Sequence, residues 1–212
     1  YNYDDVLSVF KSQDVAKKME SKYSFLTDNI LNSNIYYPLE GYLFPDTYSF
    51  YKNATTEDII DKMLKSERAK IDSLSSNLTS SKYNIHQIIT IASIVELEGK
   101  NATDRSKIAQ VIYTRLEKGM PLEMDTTTYY AVQKAMTDSL TYADLNSSSL
   151  YNTRNHSIIG LPVGPICNPS FESLTATLNP SETNYIYFYA SKDGTVKFTD
   201  SYNEFLTFKN EG

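Results

Sequence analysis

Carboxylates are the side chains with which this sequence is best supplied for acid–base chemistry. Its 212 residues include 26 Asp and Glu, but only two His and one Cys. The single thiol, Cys167, excludes an internal disulfide, and together with His86 and His156 it is a poor supply of ligands for a zinc site. We therefore expect aspartate or glutamate to carry any catalysis, with no metal and no organic cofactor.

Glu96 is the carboxylate whose predicted position is the least typical of a surface acid. Residues 85–98 have the apolar spacing of a helix, and Gly99 follows where glycine often ends one. At about 100° per residue, Glu96 falls inside the apolar arc of that helix, whereas Glu98 falls on the flank, where an acid is ordinary. Burial disfavours the charged form and raises a carboxyl pKa. Glu96 is therefore predicted to hold a proton near neutral pH, as a general acid must.

A structural role for Glu96 is the alternative that helical geometry leaves open. Arg105, Arg115 or a backbone amide could satisfy its carboxylate, and the residue would then stabilise the fold. Ser93 lies about 60° from Glu96 around the predicted helix, where it either hydrogen-bonds the carboxylate or only flanks it.

The elements around this helix are predicted from apolar spacing and from residues that begin or end helices. Thr55 with Asp58 resembles a capping box, and Ser170 is a suitable N-cap. Pro38, Gly41 and Pro45 exclude a helix from residues 36–51, which we expect to be strand and turn. Residues 137–157 are expected to be a loop with one helical turn. Further helices are predicted as short pieces within residues 4–34 and over residues 55–74, 104–118, 125–135 and 171–178.

The end of the sequence predicts a β-hairpin. Residues 185–190 and 195–199 are rich in aromatic and β-branched side chains, and Lys192-Asp193-Gly194 between them supplies the positive φ of a tight turn. Strands and helices mix without a regular βαβ alternation, which favours the α+β class: a mixed domain with a central catalytic helix, a small antiparallel sheet and a C-terminal β-hairpin. We expect residues 1–35 to form a helical N-terminal segment and residues 36–212 the catalytic domain.

Charge and hydropathy exclude two classes of partner. The net charge is −6 and there is no run of Lys or Arg, so nucleic acid is not an expected partner. No apolar stretch approaches the roughly 20 residues needed to cross a bilayer. The sequence starts at Tyr1 without a signal peptide, so we expect it to be a piece of a longer protein.

Four motifs occur in an order that is typical of one family. They are Leu-Glu-Gly-Tyr-Leu-Phe-Pro-Asp-Thr-Tyr at 39–48, Ala-Ser-Ile-Val-Glu-Leu-Glu at 92–98, Tyr-Asn-Thr at 151–153 and Gly-Leu-Pro-Val-Gly-Pro-Ile-Cys-Asn-Pro at 160–169. They resemble the successive motifs of the endolytic murein transglycosylase (YceG-like) family. The resemblance extends from about residue 36 to about residue 205. Departures from the family pattern occur at residues 122–127 and at Arg154, where tyrosine is usual.

The resemblance implies an enzyme of the bacterial cell wall. Its substrate would be peptidoglycan glycan strands, cut internally at the β-1,4 bond between N-acetylmuramic acid and N-acetylglucosamine to leave a 1,6-anhydro end. The family's catalytic glutamate is taken as the first acid after Ala-Ser-Ile-Val, which is Glu96 here. Other implied features are a location outside the cytoplasmic membrane, an N-terminal membrane anchor that is not part of this sequence, and cell-wall synthesis proteins as partners.

Six residues are candidates for substrate binding beside Glu96. They are expected in a cleft lined by residues 36–51 and 151–169, with Ser93 and Asp125 nearby. Each has a structural alternative: core packing for the tyrosines, a turn for Asn152, a helix cap for Asp125, and a buried partner for Glu40. The candidates are Glu40, Tyr42, Ser93, Asp125, Tyr151 and Asn152.

Two other functions stay open at this point. A muramidase would add water, with Glu40 or Asp125 as its second carboxylate. A glycan-binding or scaffolding module of the wall-elongation machinery would bind strands without cutting them. A lytic transglycosylase needs one acid only, because the sugar's own 6-hydroxyl replaces water as the nucleophile.

Overall fold

The computed structural model describes residues 2–191 and 193–211. Within them the chain forms ten α-helices, one 3₁₀ helix and one two-stranded antiparallel sheet, which confirms the α+β class. In chain order the elements are α1 (Tyr3–Lys11), α2 (Gln13–Glu20), the 3₁₀ helix (Asp28–Leu31), α3 (Thr56–Ser73), α4 (Ser75–Ser80), α5 (Ile85–Glu98), α6 (Ala102–Glu117), α7 (Asp125–Ala131), α8 (Tyr142–Leu145), α9 (Phe171–Leu178), β1 (Tyr187–Ala190), β2 (Val196–Thr199) and α10 (Tyr202–Glu211).

Helix α5 lies at the centre of the molecule and separates two apolar clusters. Ile89 and Ala92 pack into a cluster built with α2, α3 and the segment before α3. Ile91 and Ile94 pack into a second cluster with α6 and α7. Every residue from 88 to 95 is buried, so the predicted division into a buried and a solvated face is wrong along that stretch. A helix that is buried all round is the expected result of two cores on opposite faces.

Several helix ends agree with the predicted signals. Thr55 and Asp58 form the capping box of α3: the Asp58 amide donates to the Thr55 hydroxyl (3.1 Å) and the Thr55 amide donates to the Asp58 carboxylate (2.8 Å). Ser170 caps α9. Gly99 follows α5 with an ordinary φ of −103°, and a glycine is needed there for space, because a Cβ would lie 2.6 Å from Cγ of Arg105.

Residues 36–51 contain turns and irregular chain, so the predicted strand is wrong there. Gly41 has a φ of +89°, and a Cβ at that position would lie 2.5 Å from the Pro165 ring. The side-chain oxygen of Asn168 accepts hydrogen bonds from the amides of Gly41 (2.7 Å) and Leu43 (3.3 Å). We call this contact between residues 39–43 and 165–168 the clasp. In the clasp, Asn168 satisfies two backbone amides that in a strand would have paired with a neighbouring strand.

The C-terminal part confirms the β-hairpin and adds one helix. Strands β1 and β2 pair antiparallel, with Tyr187 opposite Thr199. Gly194 has a φ of +90°, as predicted for the turn, whereas Lys192 lies outside the described residues. Helix α10 packs against both strands, and sequence analysis assigned no element to it. Helix α7 ends at Ala131, earlier than predicted, because Gln133 adopts a positive φ of 52°.

The N-terminal segment consists of short helices, as predicted. Ala16 and Met19 of α2 are buried in the same apolar cluster as Ile60 and Leu64 of α3. A boundary at residue 35 stays a prediction. Among the described residues, none of the helices is both long enough and apolar enough to span a bilayer.

Candidate active site

Glu96 lies at the end of α5 with its carboxylate surrounded by hydrogen-bond donors. Arg105 of α6 donates to one oxygen at 3.1 Å. The other oxygen accepts from the Ser170 amide (2.9 Å), the Ser170 hydroxyl (2.5 Å) and the Ser173 hydroxyl (2.6 Å). Glu96 therefore joins α5 to α6 and to the N-terminus of α9, where a negative charge is also favoured by the helix dipole.

These donors determine the protonation state of Glu96. Burial raises the pKa of its carboxyl group, but the hydrogen bonds from Ser170 and Ser173 and the charge of Arg105 outweigh burial, and the pKa lies below its usual value. The prediction that Glu96 holds a proton near neutral pH is wrong for this reason. Its side chain is a carboxylate that stabilises the contact between three helices.

Glu98 lies about 200° further around α5 and meets a different environment. The Thr126 hydroxyl donates to its carboxyl group at 2.8 Å. Burial raises the pKa of Glu98, the Thr126 hydrogen bond lowers it, the Asp125 carboxylate raises it again and Arg154 lowers it. The pKa remains above its usual value, which is the direction of shift that was predicted for Glu96.

Glu98 lines a cleft of about 410 Å³. One wall is the chain that leads into α7, a second is strand β1, and a third is α10. The predicted walls were residues 36–51 and 151–169, and of these the lining includes Arg154. The lining residues are Glu98, Arg115, Leu122, Glu123, Met124, Asp125, Arg154, Tyr187, Phe188, Tyr189, Ala190, Tyr202, Phe205 and Lys209.

Thr153 and Arg115 hold the walls of the cleft in place. Thr153 accepts the Glu123 amide with its carbonyl (3.1 Å) and the Met124 amide with its hydroxyl (3.0 Å), which fixes the chain just before Thr126. Arg115, which is 6% exposed, donates to the Ile186 carbonyl at 2.7 Å and so ties α6 to the chain entering β1. The cleft is thus built on buried, hydrogen-bonded supports.

Tyr42 and Ser93 lie inside the protein, away from the cleft. Tyr42 is fully buried and its hydroxyl is 2.7 Å from Nδ1 of His86. The Ser93 hydroxyl donates to the Thr90 carbonyl (2.7 Å) and accepts from the Ile166 amide (3.0 Å). Both residues therefore position neighbouring chain, and the Glu96 carboxylate that Ser93 was considered to bind is held by other donors.

Glu40, Tyr151 and Asn152 lie in a second group away from the cleft. Tyr130 donates to the Glu40 carboxylate, and burial raises the Glu40 pKa against that hydrogen bond. Tyr151 is 1% exposed and its ring contacts Tyr130, with centroids 4.7 Å apart. Asn152 is buried and donates to the Leu145 and Ser147 carbonyls.

Asp125 is the predicted binding residue that does lie in the cleft. It forms an ion pair with Arg154 and contributes to the field at Glu98. It is the first residue of α7 and not its cap, because the N-cap position belongs to Met124. In the part of the chain that the structure describes, no group of three or more His, Cys, Asp or Glu side chains could hold a metal ion.

The arrangement in the cleft is suited to donating a proton. A carboxyl group with a raised pKa faces open space, and a nearby ion pair can stabilise charge that develops during a reaction. Sequence analysis considered Glu98 and set it aside, because the helical wheel placed it on the flank of the helix, where an acid is ordinary.

Comparisons with known proteins agree on one family. The sequence model of the YceG-like family matches residues 3–211. The chain is 37% identical over 220 residues to an endolytic murein transglycosylase of Bacillus subtilis (strain 168) and 34% identical over 200 residues to one of Streptococcus pneumoniae (strain D39). The fold is similar to the crystal structure of a yceG-like protein of Listeria monocytogenes, with a TM-score of 0.91 and 36% identity.

Each match covers a larger share of this chain than of the relative. The alignments cover 100% of this chain but 60% of the Bacillus protein, and 91% of this chain but 35% of the Streptococcus protein. The structural match covers 98% of this chain and 68% of the Listeria chain. The chain thus spans between a third and two thirds of the length of these relatives.

Proposed function

Because the chain belongs to the YceG-like family, we propose that it is the catalytic part of an endolytic murein transglycosylase. Its substrate is the glycan strand of peptidoglycan, cut at the β-1,4 bond between N-acetylmuramic acid and N-acetylglucosamine. The names of the Bacillus and Streptococcus relatives support this activity. The corresponding location is the outer face of the cytoplasmic membrane, with an anchor outside this sequence and cell-wall synthesis proteins as partners.

The observation that carries the proposal is the environment of Glu98. Its pKa is raised by burial, its carboxyl group is bound by Thr126, and it lines the cleft formed with α7, β1 and α10. Glu96 has a lowered pKa and accepts four hydrogen bonds, which favour its charged form and oppose the role of proton donor. We assign the general acid to Glu98 and a positioning role to Glu96.

The proposed reaction needs one carboxyl group in two states. Protonated Glu98 gives its proton to the glycosidic oxygen while the bond from that oxygen to C1 of N-acetylmuramic acid breaks, and the electron pair leaves with the N-acetylglucosamine. The 6-hydroxyl of the same muramic acid then attacks C1, and its proton passes to the Glu98 carboxylate. The acid is regenerated, no water is consumed, and the product carries a 1,6-anhydro ring. The step is intramolecular, because the attacking 6-hydroxyl and the C1 atom that it attacks belong to the same sugar.

The test is digestion of purified sacculi, with mass spectrometry of the released ends. The unmodified chain should release anhydro ends. Glu98→Gln keeps the shape of the side chain but removes its proton, and it should lower their rate of release by at least about 100-fold, the usual contribution of a general acid. Glu182→Gln, a change at an exposed glutamate, is the matched control.

The variant Glu96→Gln tests whether Glu98 or Glu96 is the general acid. If Glu98 is the acid, the folded fraction of Glu96→Gln should still release anhydro ends. If Glu96 is the acid, as the motif alone predicts, that variant should release none while Glu98→Gln remains active. Undiminished release by Glu98→Gln would overturn the assignment of Glu98.

A hydrolytic muramidase is the second candidate, and the position of Asp125 favours it. Asp125 shares the cleft with Glu98, so a second carboxylate is available to activate water. Its ion pair with Arg154 opposes that role because the carboxylate is already engaged by the guanidinium. The same mass spectra decide between the two, since a hydrolytic end is heavier than an anhydro end by one water.

A further inference from the structure

The wall of the cleft that faces Glu98 from the C-terminal end of the chain contains a cluster of aromatic rings. Tyr187 of β1 and Phe205 of α10 stack with centroids 5.3 Å apart and planes inclined by 23°. Tyr202, in the first turn of α10, lies 5.7 Å from Tyr187 and 6.2 Å from Phe205. We call these three rings the aromatic platform. All three line the same cleft as Glu98.

The aromatic platform is held rigidly from behind. The Arg115 guanidinium lies 5.3 Å from the centre of the Tyr187 ring, and Arg115 is itself fixed by the Ile186 carbonyl. Thr199 of β2 donates to Glu204, and Lys197 of β2 pairs with Glu211 at 2.8 Å, so both ends of α10 are tied to the hairpin. A surface that is ordered before binding loses little conformational entropy when a ligand arrives.

Tyr202 is the open member of the platform. Its side chain is 55% exposed, although its ring contacts two other aromatic rings. An exposed tyrosine that is held in place presents a flat apolar face with a polar hydroxyl at its edge. Pyranose rings have a matching shape, with C–H groups on the ring face and hydroxyl groups around the rim. Lys209 lies 5.7 Å from the centre of the Phe205 ring and adds a hydrogen-bond donor at the border of the platform.

We propose that the aromatic platform is a sugar-binding subsite, on which one pyranose ring of the glycan strand stacks against Tyr202 while a neighbouring linkage lies at Glu98. This inference rests on the proposed function. An enzyme that cuts inside a strand must bind sugar rings beside the linkage it cuts, and the platform is continuous with the cleft that contains the acid. The platform is thus occupied by a sugar of the glycan strand itself, at a fixed distance from the linkage that is cut.

The test measures binding without cleavage. In a Glu98→Gln background, Tyr202→Ala, Tyr202→Phe and Tyr142→Ala are compared for binding to peptide-free glycan strands. Tyr142 is 84% exposed on α8 and serves as the matched control for loss of a surface tyrosine. Tyr202→Ala should raise Kd about fivefold, a typical effect for one aromatic contact, whereas Tyr202→Phe keeps the stacking ring and should stay within about twofold.

Activity measurements add a second readout. In the otherwise unmodified chain, Tyr202→Ala should raise KM for glycan strands with little change in kcat, since the stacked sugar is bound equally in the ground and transition states. Equal Kd values for Tyr202→Ala and Tyr142→Ala would overturn the platform, as would the absence of any strand binding. Because binding is measured without turnover, a failure of the platform leaves the Glu98 results unaffected. If Glu98→Gln still cuts strands, Glu98 fails as the acid, and the same binding comparison is made in the Glu96→Gln background, which is then the inactive one.

Discussion

The two sides of the last turn of α5 show how the same side chain acquires opposite properties. Glu96 faces α6 and α9 and receives four donor contacts from Arg105, Ser170 and Ser173, which lower its pKa. Glu98 faces the cleft, has Thr126 as its hydroxyl donor, and keeps a raised pKa. Burial raises both pKa values, and the difference in direction follows from the many donors at Glu96 and from the deeper burial and the Asp125 carboxylate at Glu98.

A third glutamate, Glu67, extends this comparison to a carboxyl group without a hydrogen-bond donor among the described residues. Glu67 of α3 is fully buried, and among the described residues neither of its carboxyl oxygens has a hydrogen-bond partner. Burial raises its pKa to about 8, against a smaller opposite effect of Lys70. Glu67 lies inside the molecule and not in the cleft, so its proton has consequences for stability alone. The three residues form a series in which the pKa is lowered for Glu96, with four donor contacts, and raised for Glu98 and Glu67, which have fewer.

Glu67→Gln should give the largest effect and tests the end of this series. A group whose pKa is near 8 in the folded chain and about 4.5 in the unfolded chain binds more protons when folded, so stability is lost as pH rises from 4.5 to 8. The loss is roughly 3–5 kcal/mol at about 1.4 kcal/mol per pKa unit. Gln carries no charge at any pH, so the variant should lack this loss. Urea denaturation at pH 4.5, 6 and 8 measures it.

The titratable groups that interact with Glu67 are Lys70, which is charged, and Tyr42, which is neutral, and both remain in the variant. Glu182→Gln is the control for removal of an acid from the surface. If the free energy of unfolding has the same pH dependence in the parent chain and in Glu67→Gln, Glu67 does not hold a proton in the folded chain.

Glu96→Gln should be less stable than the parent by about 2 kcal/mol, because it weakens three charge-assisted hydrogen bonds and leaves Arg105 with one carboxylate partner, Glu172. Glu98→Gln disturbs one side-chain hydrogen bond, from Thr126, and should change stability by less than about 1 kcal/mol. Urea midpoints of the two variants give the comparison. A greater loss in Glu98→Gln would reverse the roles assigned to the two sides.

Thr126→Val tests the donor of Glu98. The Thr126 hydroxyl stabilises the charged carboxylate, so its removal should raise the Glu98 pKa further. Activity that needs protonated Glu98 falls as pH rises through this pKa. The alkaline limb of the pH profile of activity should therefore move to higher pH in the variant. A hydrogen bond of about 1 kcal/mol corresponds to less than one pH unit. The pH profile of kcat/KM on glycan strands is the measurement, and a shift to lower pH would contradict the sign.

Asp125→Asn should move the same limb in the opposite direction and by a smaller amount. The Asp125 carboxylate raises the Glu98 pKa, so a neutral side chain there should lower it, and the freed Arg154 acts in the same direction. Asp72→Asn, at an exposed ion pair on α3, is the matched control and should leave the profile unchanged. Asp125→Asn also tests the muramidase alternative, because complete loss of activity would favour Asp125 as a second catalytic carboxylate.

Local signals in the sequence were sufficient for most of the helices. The Thr55–Asp58 capping box, the Ser170 cap and Gly99 each act within four residues of a helix end, and each was placed correctly. Residues 36–51 were different, since the Asn168 side chain that satisfies the Gly41 amide is more than 120 residues away. A pattern of Pro, Gly and tyrosine excludes a helix but contains no information on that partner.

The sequence placed the candidate acid at Glu96, whereas the acid that we propose, Glu98, lies on the other side of the same helical turn. A helical wheel assumes one buried face, whereas α5 is buried all round from residue 88 to 95. The surroundings of its last turn depend on Ser170, Ser173 and Thr126, which come from other parts of the chain. The wheel separated a buried Glu96 from a Glu98 on the flank, whereas both residues are half-buried, and the donors that decide the pKa were not visible in the spacing.

The clasp has a consequence for what family membership means in this chain. Two of the four motifs, at 39–48 and 160–169, meet through Asn168 and Gly41 and brace α5, and neither motif lines the cleft that contains Glu98. Substitutions there should reduce the yield of native protein and leave the turnover of the surviving molecules intact. A homologue could keep both motifs, fold in the same way, and still have lost its capacity to break a bond.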